Sequence, residues 1–319
     1  MSAVAAAAAA GVEDDAGQGR RAPPALMPLV RELCDLKRVR SAGRAGSVAE
    51  RLFAEAWARI AGGAAPEAVA RGTIVAALAA ARLGDLDAAT LEAAGVPRAE
   101  AARILRRAAE EAAAPLDPGL GAWLLGRDGA DAPPTAAAPP PPFVARLAAQ
   151  PRAGATCPGR GRLVLEPPES HADHCALVAV LGALLAPAWG ARAETVFLAG
   201  LAHHLHNVLL PDSGFAGEVL LGEWLEPAMA GATALALEEL APGPRALVEE
   251  ARRILPDAGT PEGRAFHAAD TLDRVLQVEH HLRAAGTTMD FVLREMELVH
   301  AGPVKPFQDA VLARMGLAA

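Results

Sequence analysis

All nine histidines of the chain fall in its second half: His171, His174, His203, His204, His206, His267, His280, His281 and His300. Neutral imidazole is the commonest metal ligand and also moves protons near pH 7. Three stretches carry the candidates. Glu169-Ser170-His171-Ala172-Asp173-His174 precedes an apolar run, so Ser170 reads as a helix N-cap and His174 falls in the first turns. Leu201-Ala202-His203-His204-Leu205-His206-Asn207 closes an apolar stretch that begins at Val196. In Phe266-His267-Ala268-Ala269-Asp270-Thr271-Leu272-Asp273-Arg274, helical spacing puts His267, Asp270 and Arg274 on one face. Three helices can each present one or two ligands to a shared ion. Taken singly, each stretch also has a plain structural reading. These are a capping-turn histidine at His174, solvated imidazoles at a helix end, and an exposed ion pair between Asp270 and Arg274.

Helices must position these residues, and helical periodicity is what the chain offers. It predicts helices over 26–39, 47–60, 66–83, 88–94 and 97–112, and then over 143–150, 170–185, 193–209, 216–226, 228–240, 244–255, 261–285, 289–300 and 306–315. No segment alternates apolar and β-branched residues, so the fold class expected is all-α. Residues 1–25 read as a disordered lead of alanines and acids. Residues 26–128 read as one helical domain and 143–319 as another. Between them, 129–142 carries Pro133-Pro134 and Pro139 to Pro142, a composition that favours an extended spacer. The alternative is a long surface loop within a single domain.

In order and context these residues resemble the HD-domain metal-dependent phosphohydrolases, over about residues 160–281. His174 is similar to that family's first histidine, His203 to the histidine of its His-Asp doublet, and Asp270 to its last aspartate. The separations are ordinary for the small nucleotidase-like branch. The resemblance implies an HD-like helical bundle and a divalent metal held by His174, His203, His204 and Asp270. It further implies hydrolysis of a small-molecule phosphoester, with a nucleoside 5'-monophosphate as the favoured class. Asp212 would sit near the substrate sugar or the attacking water, with Asp173 a further proton acceptor. Arg160 and Arg162 would bind the phosphate. Two departures stand out: the doublet's aspartate is His204, and the glutamate usual three residues later is Asn207. A site rich in imidazole suits Mn, Co, Ni, Fe or Zn better than Mg. The same departures leave open an inactive HD-like module for ligand sensing or protein contacts.

The first half resembles a second, ligand-free copy. Ser47-Val48-Ala49-Glu50-Arg51 aligns with Ser170-His171-Ala172-Asp173-His174, and Ala81-Arg82-Leu83-Gly84-Asp85 with His203-His204-Leu205-His206-Asn207. Composition alone would also align two Ala/Leu-rich helices. The net charge is −8, which disfavours a nucleic-acid partner held by overall field, and aromatics at 3% offer no stacking platform for single strands. Only Lys37 and Lys305 are lysines among the 30 basic residues, and no phosphate-binding glycine loop with its lysine occurs. Cys34, Cys157 and Cys175 share no tight spacing, as expected of a reducing compartment. The alanine-dominated apolar runs are weak membrane spans. The expectation is a cytoplasmic protein with no membrane partner, compatible with a homo-oligomer.

Overall fold

The computed structural model describes residues 24–126, 138–285 and 288–317. The lead expected to be disordered, up to residue 23, and the expected spacer, up to residue 137, lie outside the described residues. The described chain is all-α. Its α-helices are α1 (Met27–Asp35), α2 (Val48–Ala61), α3 (Pro66–Leu83), α4 (Ala88–Ala93), α5 (Arg98–Ala112), α6 (Pro118–Leu125), α7 (Pro142–Ala149), α8 (His171–Leu185), α9 (Ala193–Ala202), α10 (Gly214–Leu221), α11 (Leu225–Leu237), α12 (Pro242–Ala251), α13 (Pro261–Ala285) and α14 (Lys305–Arg314). Extended pairing among the described residues is confined to isolated bridges such as Ala155 with Leu163.

Local chemistry explains where the principal helices begin. Ser47 opens α2 and Ser170 opens α8 by the same device, a reciprocal capping box with Glu50 and Asp173 respectively. The two boxes meet, because the Ser47 hydroxyl donates to the Asp173 carboxylate. Aligned helices also face one another, α2 against α8 and α3 against α9. Trp57 of α2 lies edge-on to Phe143 of α7 with ring centroids 4.8 Å apart. One buried apolar cluster therefore runs through both halves, from Leu26 to Leu317.

At the centre of that cluster is α8, buried along its whole length. The segment His171–Trp189 is long and apolar enough to cross a membrane, but 83% of it is buried inside the protein, which marks it as a core helix. It packs between α2, α9 and α13. Two glycines allow the α8–α9 approach. A Cβ on Gly200 would lie 2.6 Å from the Ala179 Cα, and one on Gly182 would lie 2.6 Å from the Val196 side chain. Gly200→Ala is therefore expected to destabilise the fold by about 1–3 kcal/mol through overpacking. The check is the midpoint of denaturant unfolding, and an unchanged midpoint would contradict so close a contact.

Three departures from the expected helices are the largest. The helix expected over 193–209 stops at Ala202, because His204 (φ −102°, ψ 24°) leaves the helical region and a short turn, Leu205–Val208, follows. The helix α6 was not anticipated; Asp117 caps it through the amides of Gly119 and Leu120, and Pro118 occupies its first position. Over 289–300 only a π-type turn, Phe291–Glu295, forms.

Candidate metal centre

The break after Ala202 is what places the histidine pair. His203 caps the end of α9 and His204 lies in the turn beyond it, so both rings face the first turn of α8. The helix α13 passes on the other side and supplies Asp270 and Asp273, spaced i, i+3 on one face.

Hydrogen-bond partners fix the imidazole tautomers. The His174 Nδ1 donates to Asp273 Oδ2 at 2.7 Å, and the His203 Nδ1 donates to the Gly200 carbonyl at 2.6 Å. Each ring therefore carries its proton on the far side and turns Nε2 inward. The two Nε2 atoms face each other at 3.1 Å, and Asp270 Oδ1 lies 3.2 Å from the first and 3.9 Å from the second. Two lone pairs and a carboxylate cannot share so small a space without a cation among them, whether a proton on one Nε2 or a metal ion. Ligands about 2.0–2.1 Å from a tetrahedral or octahedral ion stand roughly 2.9–3.4 Å apart, which brackets the spacing of the two Nε2 atoms.

Charge around the cluster keeps these groups ready to ligate. Burial, reinforced by the adjacent His174, pushes His203 far below the ordinary imidazole range. Burial would raise the Asp270 acid, but the neighbouring Arg274 guanidinium outweighs it and holds the carboxyl well below its usual range. The contact from Asp273 to His174 is the carboxylate–histidine arrangement that orients metal-bound imidazoles. Asp273→Asn is expected to weaken metal retention 10- to 100-fold, on the order of other such outer partners. Competition with a chelating dye measures this, and parental affinity in the variant would contradict the orienting role.

His204 is differently engaged. Its Nδ1 donates to Asn207 Oδ1 at 2.7 Å, and its Nε2 accepts from Arg152 Nη1 at 2.6 Å. One of its ring nitrogens still lies within 4.8 Å of a ring nitrogen of each of His174 and His203. Burial, then His203 and Arg152, push it well below the ordinary imidazole range. A second group, Glu169, His174 and Asp273, is equally close-set, but the Lys37 ammonium already sits there, 2.6 Å from Glu169 and 2.7 Å from Asp273.

The other expected site residues are placed as follows. Asp212 is near the cluster through Arg152, 3.8 Å away, while its oxygens accept from the amides of Ala153 and Gly214. The Asp173 carboxylate is taken up by Ser170 and Ser47 at the head of α8, and burial raises its acid to about 6. Arg160 is exposed and pairs with Glu295 at 3.1 Å. Arg162, also exposed, donates to the carbonyls of Ala153 and Ser213. The structure thus gathers His174, His203, His204 and Asp270, keeps Asp212 at the edge, and holds Asp173, Arg160 and Arg162 in other contacts.

Four participants escaped sequence reasoning: Lys37, Arg152, Glu169 and Asp273. Two had a signal. Lys37 is one of two lysines in an arginine-rich chain, and Asp273 follows Asp270 by one helical turn. In the first half, Arg51 stands where the alignment puts His174, and it pairs with Asp85, the counterpart of Asn207. An ion pair closes that half where the other gathers imidazoles.

Buried histidine, aspartate and glutamate groups that could hold a metal ion are therefore present. Comparison with protein-family models, with curated proteins and with solved structures returns no match.

Proposed function

We propose that this protein is a metal-dependent phosphohydrolase of the HD-domain type, acting on a small phosphoester, with a nucleoside 5'-monophosphate as the favoured substrate class. The observation that carries the reading is the inward pair of Nε2 atoms on His174 and His203, with Asp270 beside them and both Nδ1 protons committed elsewhere. Two imidazoles and one carboxylate suit Mn, Co, Ni, Fe or Zn. A bound ion of this kind makes its water a nucleophile near pH 7 and neutralises phosphoryl charge.

The chain's own groups have definite tasks in this reading. His174, His203 and Asp270 hold the ion, and Asp273 fixes the His174 ring. Arg152 and Arg274 border the centre and supply positive charge to a phosphoryl group. Asp212, 3.8 Å from Arg152, is the carboxylate that this reading assigns to assisting the water. Buried free thiols at Cys34, Cys157 and Cys175 support a reducing, cytoplasmic setting.

A specific observation favours a second reading, an inactive module that keeps the fold for ligand sensing. Arg152 caps the nitrogen that stands where the family has its doublet aspartate, and Asn207 offers no carboxylate to accept a proton. Phosphate release from a panel of nucleoside monophosphates, with Mn²⁺, Co²⁺ or Ni²⁺ added, separates the two. Turnover that a chelator abolishes supports the hydrolase. Metal binding with no release from any substrate supports the sensor.

A further inference from the structure

Arg152 and Arg274 line one cavity together with Glu169, Gln277, Leu165 and Val278. Both guanidinium groups are mostly shielded from solvent, with 16% and 21% of their side chains exposed. Among the described residues, neither meets a carboxylate within hydrogen-bonding distance. Arg152 is 3.8 Å from both Glu169 and Asp212, and Arg274 is 3.9 Å from Asp270. The Arg274 Nε is buried with no hydrogen-bond partner among the described residues. The strongest bond either group makes is the one from Arg152 Nη1 to His204 Nε2, a neutral acceptor. A buried guanidinium with unfilled donors favours a planar or tetrahedral oxyanion, which accepts two bonds at once and carries charge.

The same bond holds His204 out of the metal centre. Its Nε2 lone pair can take Arg152 or a metal ion, not both, and its ring lies beside those of His174 and His203, with centroids 5.1 and 4.3 Å away. We propose that Arg152 and Arg274 form a site for an oxyanion of the phosphate class, and that filling it draws Arg152 off His204 and frees that imidazole as a fourth metal ligand. Anion and metal then bind cooperatively, each raising the affinity of the other by one factor. This inference rests on the reading that His174, His203 and Asp270 hold a metal ion. It moves the anion-binding role from Arg160 and Arg162 to two arginines that border the cluster itself.

The test is the affinity of the full chain for Co²⁺, read from its visible absorption, in chloride buffer and in buffer of equal ionic strength containing inorganic phosphate. A third arm contains adenosine 5'-monophosphate. Phosphate is expected to raise Co²⁺ affinity about 5- to 150-fold, the usual range of such coupling. A larger effect of the nucleotide marks a phosphoester as the natural occupant, and an equal effect marks free phosphate. Arg152→Met frees His204 permanently, so it should bind Co²⁺ more tightly in chloride and lose the phosphate effect. Arg274→Met, which leaves the Arg152–His204 bond in place, should respond weakly to phosphate. Parental Co²⁺ affinity that is the same in all three buffers overturns the coupling while leaving the metal centre standing. Absence of Co²⁺ binding in every buffer overturns the metal reading, and this inference with it.

Discussion

His203→Ala is expected to reduce affinity for Co²⁺ or Mn²⁺ by roughly 100-fold or more, above the loss seen when only an outer partner of a ligand is removed. His203 contributes one of three inward donor atoms, and its ring is already oriented by the Gly200 carbonyl. Without it, His174 Nε2 and Asp270 remain, too few donors to compete with water for the ion. The fold should survive, because the side chain lies at the end of α9 and, among the described residues, makes no other hydrogen bond across the core. A metal that binds the native state raises the melting temperature by mass action. Added Co²⁺ should therefore raise the melting temperature of the parent and leave that of His203→Ala unmoved. Equal metal content in parent and variant after dialysis would remove His203 from the site.

Lys37→Met is expected to have the largest effect on stability. The ammonium is buried, 4% exposed, and bridges two carboxylates that are themselves buried, Glu169 and Asp273. Burial would lower its pKa, but these two neighbours outweigh burial and raise it, so Lys37 is charged at any ordinary pH. Methionine fills similar volume and leaves both carboxylates without their cation. Breaking one side of a buried pair costs about 3–5 kcal/mol. For a chain of this size that corresponds to a fall in melting temperature on the order of 10 °C.

The pH dependence has a definite sign. Burial pushes the Asp273 acid up, but Lys37 and His174 outweigh it and hold it below the ordinary value. A depressed carboxyl stabilises fully above the unfolded value, near pH 3.9, and less as pH falls below it. The gap between parent and Lys37→Met should thus be full at neutral pH and narrow below about pH 4. A melting temperature equal to the parent's at pH 7 would contradict the account. Because Asp273 also orients His174, the variant should lose metal affinity as well, which ties the first half of the chain to the centre in the second.

What the sequence made legible was local. Ser170 reads as an N-cap and does cap α8, in a box with Asp173, as Ser47 caps α2 with Glu50. His174 in a first turn, His203 at the end of an apolar run and Asp270 on a helix face were all readable from short-range pattern. The break after Ala202 was not, since His203 and His204 have no residue that forbids a helix; contacts with α8 and Asn207 decide it. Lys37 and Arg152 lie far along the chain from Asp273 and His204, and no periodicity reports such pairings. Asp173 shows the opposite failing. Its type and position suited proton transfer, yet the same position made it the capping partner of Ser170, and the cap takes Oδ2 while the Ser47 hydroxyl takes Oδ1.

The most direct test of the centre is anomalous diffraction from a crystal of the full chain soaked in Co²⁺. One strong peak is predicted, within about 2.0–2.2 Å of His174 Nε2, His203 Nε2 and an Asp270 oxygen, the ordinary reach of such ligands. A crystal without a peak there, or with its cobalt bound only elsewhere, would contradict the account.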